Sequence, residues 1–149
     1  MTTETSQQST SLAATTNPTT DEDQDRNTGT DTAAAAPLDD ATIANLLEAI
    51  GDDADFLTEV IDTYVAGAVD LLATMQRAVA AGSAADLAWA AHDLKSSSSN
   101  LGGLSLAAVC QALESGARMG NLAGAAERVA LADQEYQRVR GALAETLGR

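Results

Sequence analysis

From Leu38 to Leu147 the apolar side chains of this chain recur at intervals of three and four residues. With successive residues about 100° apart around a helix, that spacing gathers them into one stripe, so each segment that carries it reads as an amphipathic helix with a single buried face. Only 3% of the residues are aromatic although 45% are apolar. A core made of Ala, Leu, Val and Ile suits close-packed helices better than sheets.

Capping residues and glycines divide the pattern into five helices. Asp39 can cap a short first helix that carries Ile43, Leu46, Leu47 and Ile50 and is ended by Gly51. Asp52, Asp53 or Asp55 can start a long second helix, with Leu57, Val60, Ile61, Tyr64, Ala68, Leu71, Leu72, Met75 and Val79 along it, that stops at Ala81-Gly82. Ser83 caps a third, which runs to Leu101 and is broken by Gly102-Gly103. A fourth carries Leu106, Val109, Cys110, Leu113 and Ala117 and ends near Gly120, and a fifth, capped by Asn121, carries Leu122, Ala125, Val129, Ala132, Tyr136, Val139, Leu143 and Leu147. All connections are short, so neighbours should be antiparallel. The expected fold over residues 38–149 is all-α: an antiparallel up-and-down four-helix bundle with a short additional N-terminal helix.

Residues 1–37 are of a different kind. They hold almost no large apolar side chains, and six acidic residues stand against Arg26 alone, so this segment is expected to be a disordered acidic tail. The formal net charge of −14 works against nucleic acid or an anionic membrane as a partner, since both require a basic patch. The lone Cys110 can form neither an internal disulfide nor a thiolate zinc site, and its phase with Leu106, Val109 and Leu113 marks it as a buried structural thiol. No apolar run approaches the roughly 20 residues of a membrane span, and the N-terminus lacks the pattern of a signal peptide. A cytoplasmic protein is expected.

The third helix holds the only histidine and the only lysine, His92 and Lys95, in the stretch Ala91-His-Asp-Leu-Lys-Ser-Ser-Ser-Ser-Asn-Leu-Gly-Gly103. Leu87, Ala91, Leu94, Ser98 and Leu101 share one direction within roughly 40°, which is the core face, and His92 points about 140° away from it. Around His92 stand Ala88, Ser96 and Ser99, one or two turns distant and all small. A helix face shaped only for solubility would carry Glu, Lys, Gln or Arg there, which favour helix more than serine does. The small side chains point instead to another protein that approaches His92 closely.

A neutral imidazole is a nucleophile that can accept and release a phosphoryl group, and the Lys95 ammonium one turn on can offset part of its charge as an exposed point charge. The chain has no second histidine or cysteine cluster for a metal, no nucleotide-binding loop and no strand for a nucleophile elbow. Asp93 lies about 100° from His92 around the helix, so a Ser-His-Asp arrangement within the segment fails as well. Catalytic equipment for phosphoryl transfer must come from a partner.

The stretch from Ala91 to Glu114, "AHDLKSSSSNLGGLSLAAVCQALE", resembles the signature of histidine-containing phosphotransfer (HPt) domains. In that signature His-x-Leu-Lys is followed by small residues, a Leu-Gly pair and a Leu-Ala-x-x-Cys-x-x-Leu-Glu helix. The resemblance implies that His92 is the phosphoacceptor of a His-Asp phosphorelay, taking its phosphoryl group from an aspartyl phosphate on one receiver domain and passing it to another. It implies Lys95 as the basic partner, no cofactor of the protein's own, and a magnesium ion supplied by the receiver. Ser96 departs from the family, which usually has glycine directly after the lysine.

The receiver-docking surface is expected to include Ala88, Trp89, Ser96 and Ser99. Trp89, about 60° from His92, either edges that surface or covers the bundle. Ile50 and Phe56 are expected to pack in the core rather than extend it. A rival reading is a helical interaction module that binds and regulates a receiver or kinase without being phosphorylated.

Overall fold

The computed structural model describes residues 36–148, so the segment read as an acidic tail lies almost wholly outside the described residues. Five helices follow one another: α1 Asp40–Ala49, α2 Ala54–Ala81, α3 Ala84–Asn100, α4 Leu104–Arg118 and α5 Ala125–Thr146. The four longer ones form a closed ring in which α3 packs between α2 and α4, and α5 closes against both α4 and α2. Among the described residues there is no strand, and no helix is long and apolar enough to cross a membrane.

The helix starts follow from side-chain capping. Asp39 accepts hydrogen bonds from the Thr42 backbone N–H (3.0 Å) and hydroxyl (2.6 Å), and Asp53, one of three aspartates able to start α2, accepts from the Phe56 N–H at 3.0 Å. Each carboxylate satisfies a backbone donor that the first helical turn leaves without a partner. Ser83 does the same for Asp86 at 3.4 Å, and Gly82, with φ of 71°, ends α2 in the left-handed conformation.

The buried stripe of α2 (Leu57, Ile61, Tyr64, Ala68, Leu72, Met75, Ala78) faces Leu87, Ala90, Ala91, Leu94 and Ser98 of α3, Leu106, Cys110 and Leu113 of α4, and Val129, Ala132, Tyr136, Val139 and Leu143 of α5. The expected core face of α3 is therefore buried throughout, Ser98 included. Its alanines let neighbouring backbones approach, while Tyr64 and Tyr136, with ring centroids 6.4 Å apart, fill the middle.

The glycine pair after α3 does more than end a helix. Gly102 has φ of 84°, and a Cβ there would lie 3.1 Å from both the backbone N and O of Asp39. Its carbonyl accepts the Asp39 N–H at 2.8 Å, and Leu38 is buried alongside. Glycine thus lets the entry to α1 lie directly on the α3–α4 turn, and Ile43, Leu46, Leu47 and Ile50 then pack partly buried against the core.

Two expectations change. The fifth helix begins at Ala125, not after Asn121: Asn121 Oδ1 accepts the Ala123 N–H at 3.0 Å, and this local turn holds Leu122 outside the helix until Gly124, with φ of 72°, turns the chain into it. Phe56 is not a core residue. It lies one position before the buried Leu57 in the first turn of α2, on the flank of the stripe, and is 47% exposed.

Candidate functional site

Helix α3 carries His92 on the side that meets α4, where the opposing residue is Glu114. The imidazole Nδ1 lies 3.0 Å from Glu114 Oε2, and the ring remains 52% exposed. Lys95, one turn along α3, donates its ammonium to Glu114 Oε1 at 2.7 Å and to Gln111 Oε1 at 2.9 Å. Arg118, one turn along α4, forks onto Glu114 Oε2 with Nε at 2.9 Å and Nη2 at 2.6 Å. One carboxylate thus ties together the histidine and both cations beside it.

Glu114 is buried although charged, a combination found when a carboxylate is fully paired. The Lys95 ammonium above all, with the hydrogen bonds of Arg118 and His92, holds its carboxyl down to about 2 against the upward push of burial. An ionised carboxylate can only accept, so the shared proton of the pair sits on the imidazole nitrogen. Nδ1 is accordingly the N–H nitrogen, and in the neutral ring Nε2 keeps its lone pair. Orientation and tautomer are fixed by the same contact.

The surroundings are as small as the sequence suggested. Ser96 is exposed, and Ala88 and Ser99 are half-buried. Trp89 is 59% exposed, one turn before His92 and on the side of α3 that faces α2. Ser97 turns its hydroxyl back to the Leu94 carbonyl at 3.3 Å, and Ser98 is spent in the core on Tyr64. Cys110 is fully buried beneath the site, and burial pushes its thiol up to about 12, which leaves it unreactive.

Lys95 differs from expectation in one respect. It is not a free surface charge: a quarter exposed, it already serves Glu114 and Gln111. Any negative group added to Nε2 therefore has to share the ammonium with Glu114. Sequence reasoning also passed over Glu114 itself and Arg118. The signal was there, because Glu114 falls on the apolar stripe of α4 with Leu106, Cys110, Leu113 and Ala117, where a charge is out of place. The carboxylate that serves His92 is not its sequence neighbour Asp93 but one 22 positions away on the neighbouring helix.

The helical bundle that carries this imidazole has counterparts among known proteins. The model of the Hpt domain matches residues 59–142, more than half of the chain. The chain belongs to the Hpt domain family. Among solved structures, histidine-containing phosphotransfer protein B (HptB) from Pseudomonas aeruginosa PAO1 is similar at 33% identity with a TM-score of 0.71, over 78% of this chain and 98% of that one. No curated protein matches it. Membership fixes the broad chemistry as histidine phosphotransfer in two-component signalling and accounts for the all-helical fold.

Proposed function

We propose that His92 is the phosphoacceptor of a cytoplasmic phosphorelay intermediate, taking a phosphoryl group from the aspartyl phosphate of one receiver domain and passing it to the aspartate of another. The observation that carries the reading is the 3.0 Å contact between His92 Nδ1 and the buried Glu114 carboxylate, which leaves Nε2 as the nucleophile on a half-exposed ring. Nε2 attacks phosphorus in line, the N–P bond forms as the P–O bond to the donor carboxylate breaks, and the Nδ1 proton stays hydrogen-bonded to Glu114. A positive charge that develops on the ring is stabilised by that carboxylate, as an imidazolium is by the buried acid of a catalytic triad.

Lys95 and Arg118 share their hydrogen bonds between Glu114 and the incoming phosphoryl oxygens. The magnesium ion that neutralises the remaining charge belongs to the receiver, so this protein is a carrier without catalysis of its own. Ala88, Trp89, Ser96 and Ser99 form the part of the docking surface nearest His92, where short side chains let a receiver bring its aspartate within reach of Nε2. A module that binds receivers without accepting phosphate would have no use for an oriented, solvent-facing imidazole, and the Glu114 contact favours the carrier.

Incubation with a phosphorylated receiver domain and Mg²⁺ is expected to transfer label to this protein in acid-labile, alkali-stable form. His92→Gln should take up none. Equal labelling of wild type and variant would move the acceptor elsewhere.

A further inference from the structure

On the side of α3 that faces α2 lies a cleft of about 400 Å³ lined by Thr74, Arg77, Ala78, Ala81, Asp86 and Trp89. Two of these residues are out of keeping with a merely solvated surface. Trp89 is the only tryptophan of the chain and leaves 59% of itself in water, an unfavourable placement for the largest apolar side chain unless something covers it. Arg77 is the first cation after Arg26 in a strongly acidic chain, yet among the described residues it forms no ion pair and donates only to Thr74 Oγ1, at 3.2 Å. Asp86, in the same cleft, lies in the first turn of α3, where the helix dipole favours a carboxylate.

We infer that Trp89 and Arg77 are a selectivity anchor, a pocket beside the phosphoacceptor that receives an apolar side chain flanked by a carboxylate on the docking receiver domain. The inference rests on His92 being the acceptor. Trp89 lies three residues before His92, about 4.5 Å along the axis and 60° around it, so a protein that covers the imidazole can cover the indole as well. Tryptophan and arginine are the side chains that most often carry binding energy at the centre of interfaces, because each buries much area for few rotors and arginine adds a directed charge. The unpaired guanidinium sets the sign of the partner: a carboxylate is attracted, while a receiver with lysine or arginine there is repelled. The short side chains around His92 admit any close-fitting receiver, and the cleft discriminates among those admitted.

The test uses the full chain and a panel of receiver domains from the same organism, each loaded with acetyl phosphate and Mg²⁺, with transfer measured over a range of receiver concentrations. For the receiver that wild type accepts fastest, Trp89→Ala should lower kcat/KM by about tenfold or more through KM, with the saturating rate nearly retained. Trp89→Phe should recover most of the loss. Arg77→Glu should lower kcat/KM by about threefold to tenfold and shift the ranking of the panel toward receivers with basic surfaces. Wild-type kcat/KM for both variants across the panel would overturn the anchor and leave the assignment of His92 intact. Failure of wild type to accept label from any receiver, or labelling that survives His92→Gln, would overturn the acceptor reading and the anchor with it.

Discussion

Helix α3 makes polar contacts with both of its neighbours, and the two seams are opposite in kind. Toward α2, Ser98 Oγ meets Tyr64 OH at 2.9 Å, both groups are buried, and desolvation pushes the tyrosine up to about 12, so the pair stays neutral at any physiological pH. Toward α4, Glu114 gathers three cationic or titratable partners at the rim of the bundle, with its own carboxyl held at about 2 and its partners reaching into water. A neutral hydrogen bond can sit at the centre of the core because little is lost by removing it from water once it is made. An ionised group needs several donors and a watery edge. The seam with α2 holds α3 in place, while the seam with α4 works on the ring it carries.

Glu114 is where this contrast breaks first. Glu114→Ala should lower the rate of phosphoryl transfer to His92 on the order of 10- to 100-fold, since the ring loses both its fixed tautomer and its orientation. The same change should cost about 1–3 kcal/mol of stability in a urea melt. Glu114→Gln keeps the shape and an acceptor for Nδ1 but not the charge, so its rate should fall between the two. Equal rates for all three proteins would show that the contact positions nothing. Ser98→Ala probes the other seam: it leaves the Tyr64 hydroxyl buried without a partner and should cost about 1–2 kcal/mol, with transfer to His92 unchanged. A slowed transfer in that variant would mean that the two seams are coupled through α3.

Much of this arrangement is legible in the residues because it is local. Asp39, Ser83 and Gly82 mark helix ends through contacts within four positions, and the stripe from Leu87 to Leu101 shows its buried face by spacing alone. Local rules also explain the two misreadings. Asn121 has the chemistry of a cap but spends it on a turn, and Phe56 sits beside a buried stripe rather than in it. The role of Glu114 depends on the register between α3 and α4, which no single-helix pattern contains. It was visible as an anomaly, a charge in an apolar phase, without its partners being named. Trp89 and Arg77 are likewise brought into one cleft by the packing of α2 on α3.

The charge itself is isolated by pH. Folding lowers the Glu114 carboxyl from its ordinary 4.5 to about 2 through Lys95, Arg118 and His92, so the folded state binds the proton less readily than the unfolded chain. For a depressed carboxylate the stabilisation is complete above the unfolded value and is lost as pH falls through the folded one. The advantage of wild type over Glu114→Gln should therefore shrink steadily as pH falls from about 4.5 to 2. The other carboxylates are common to both proteins and cancel in the difference. Urea melts of the pair at several pH values across that range provide the measurement. A difference that stays flat to pH 2.5 would mean that the amide serves Lys95 and Arg118 as well as the carboxylate does, and that the site is held by shape rather than charge. A difference that closes as described makes the α4 seam the acid-sensitive one, and Ser98→Ala, which removes no titrating carboxyl, should show no such closure against wild type.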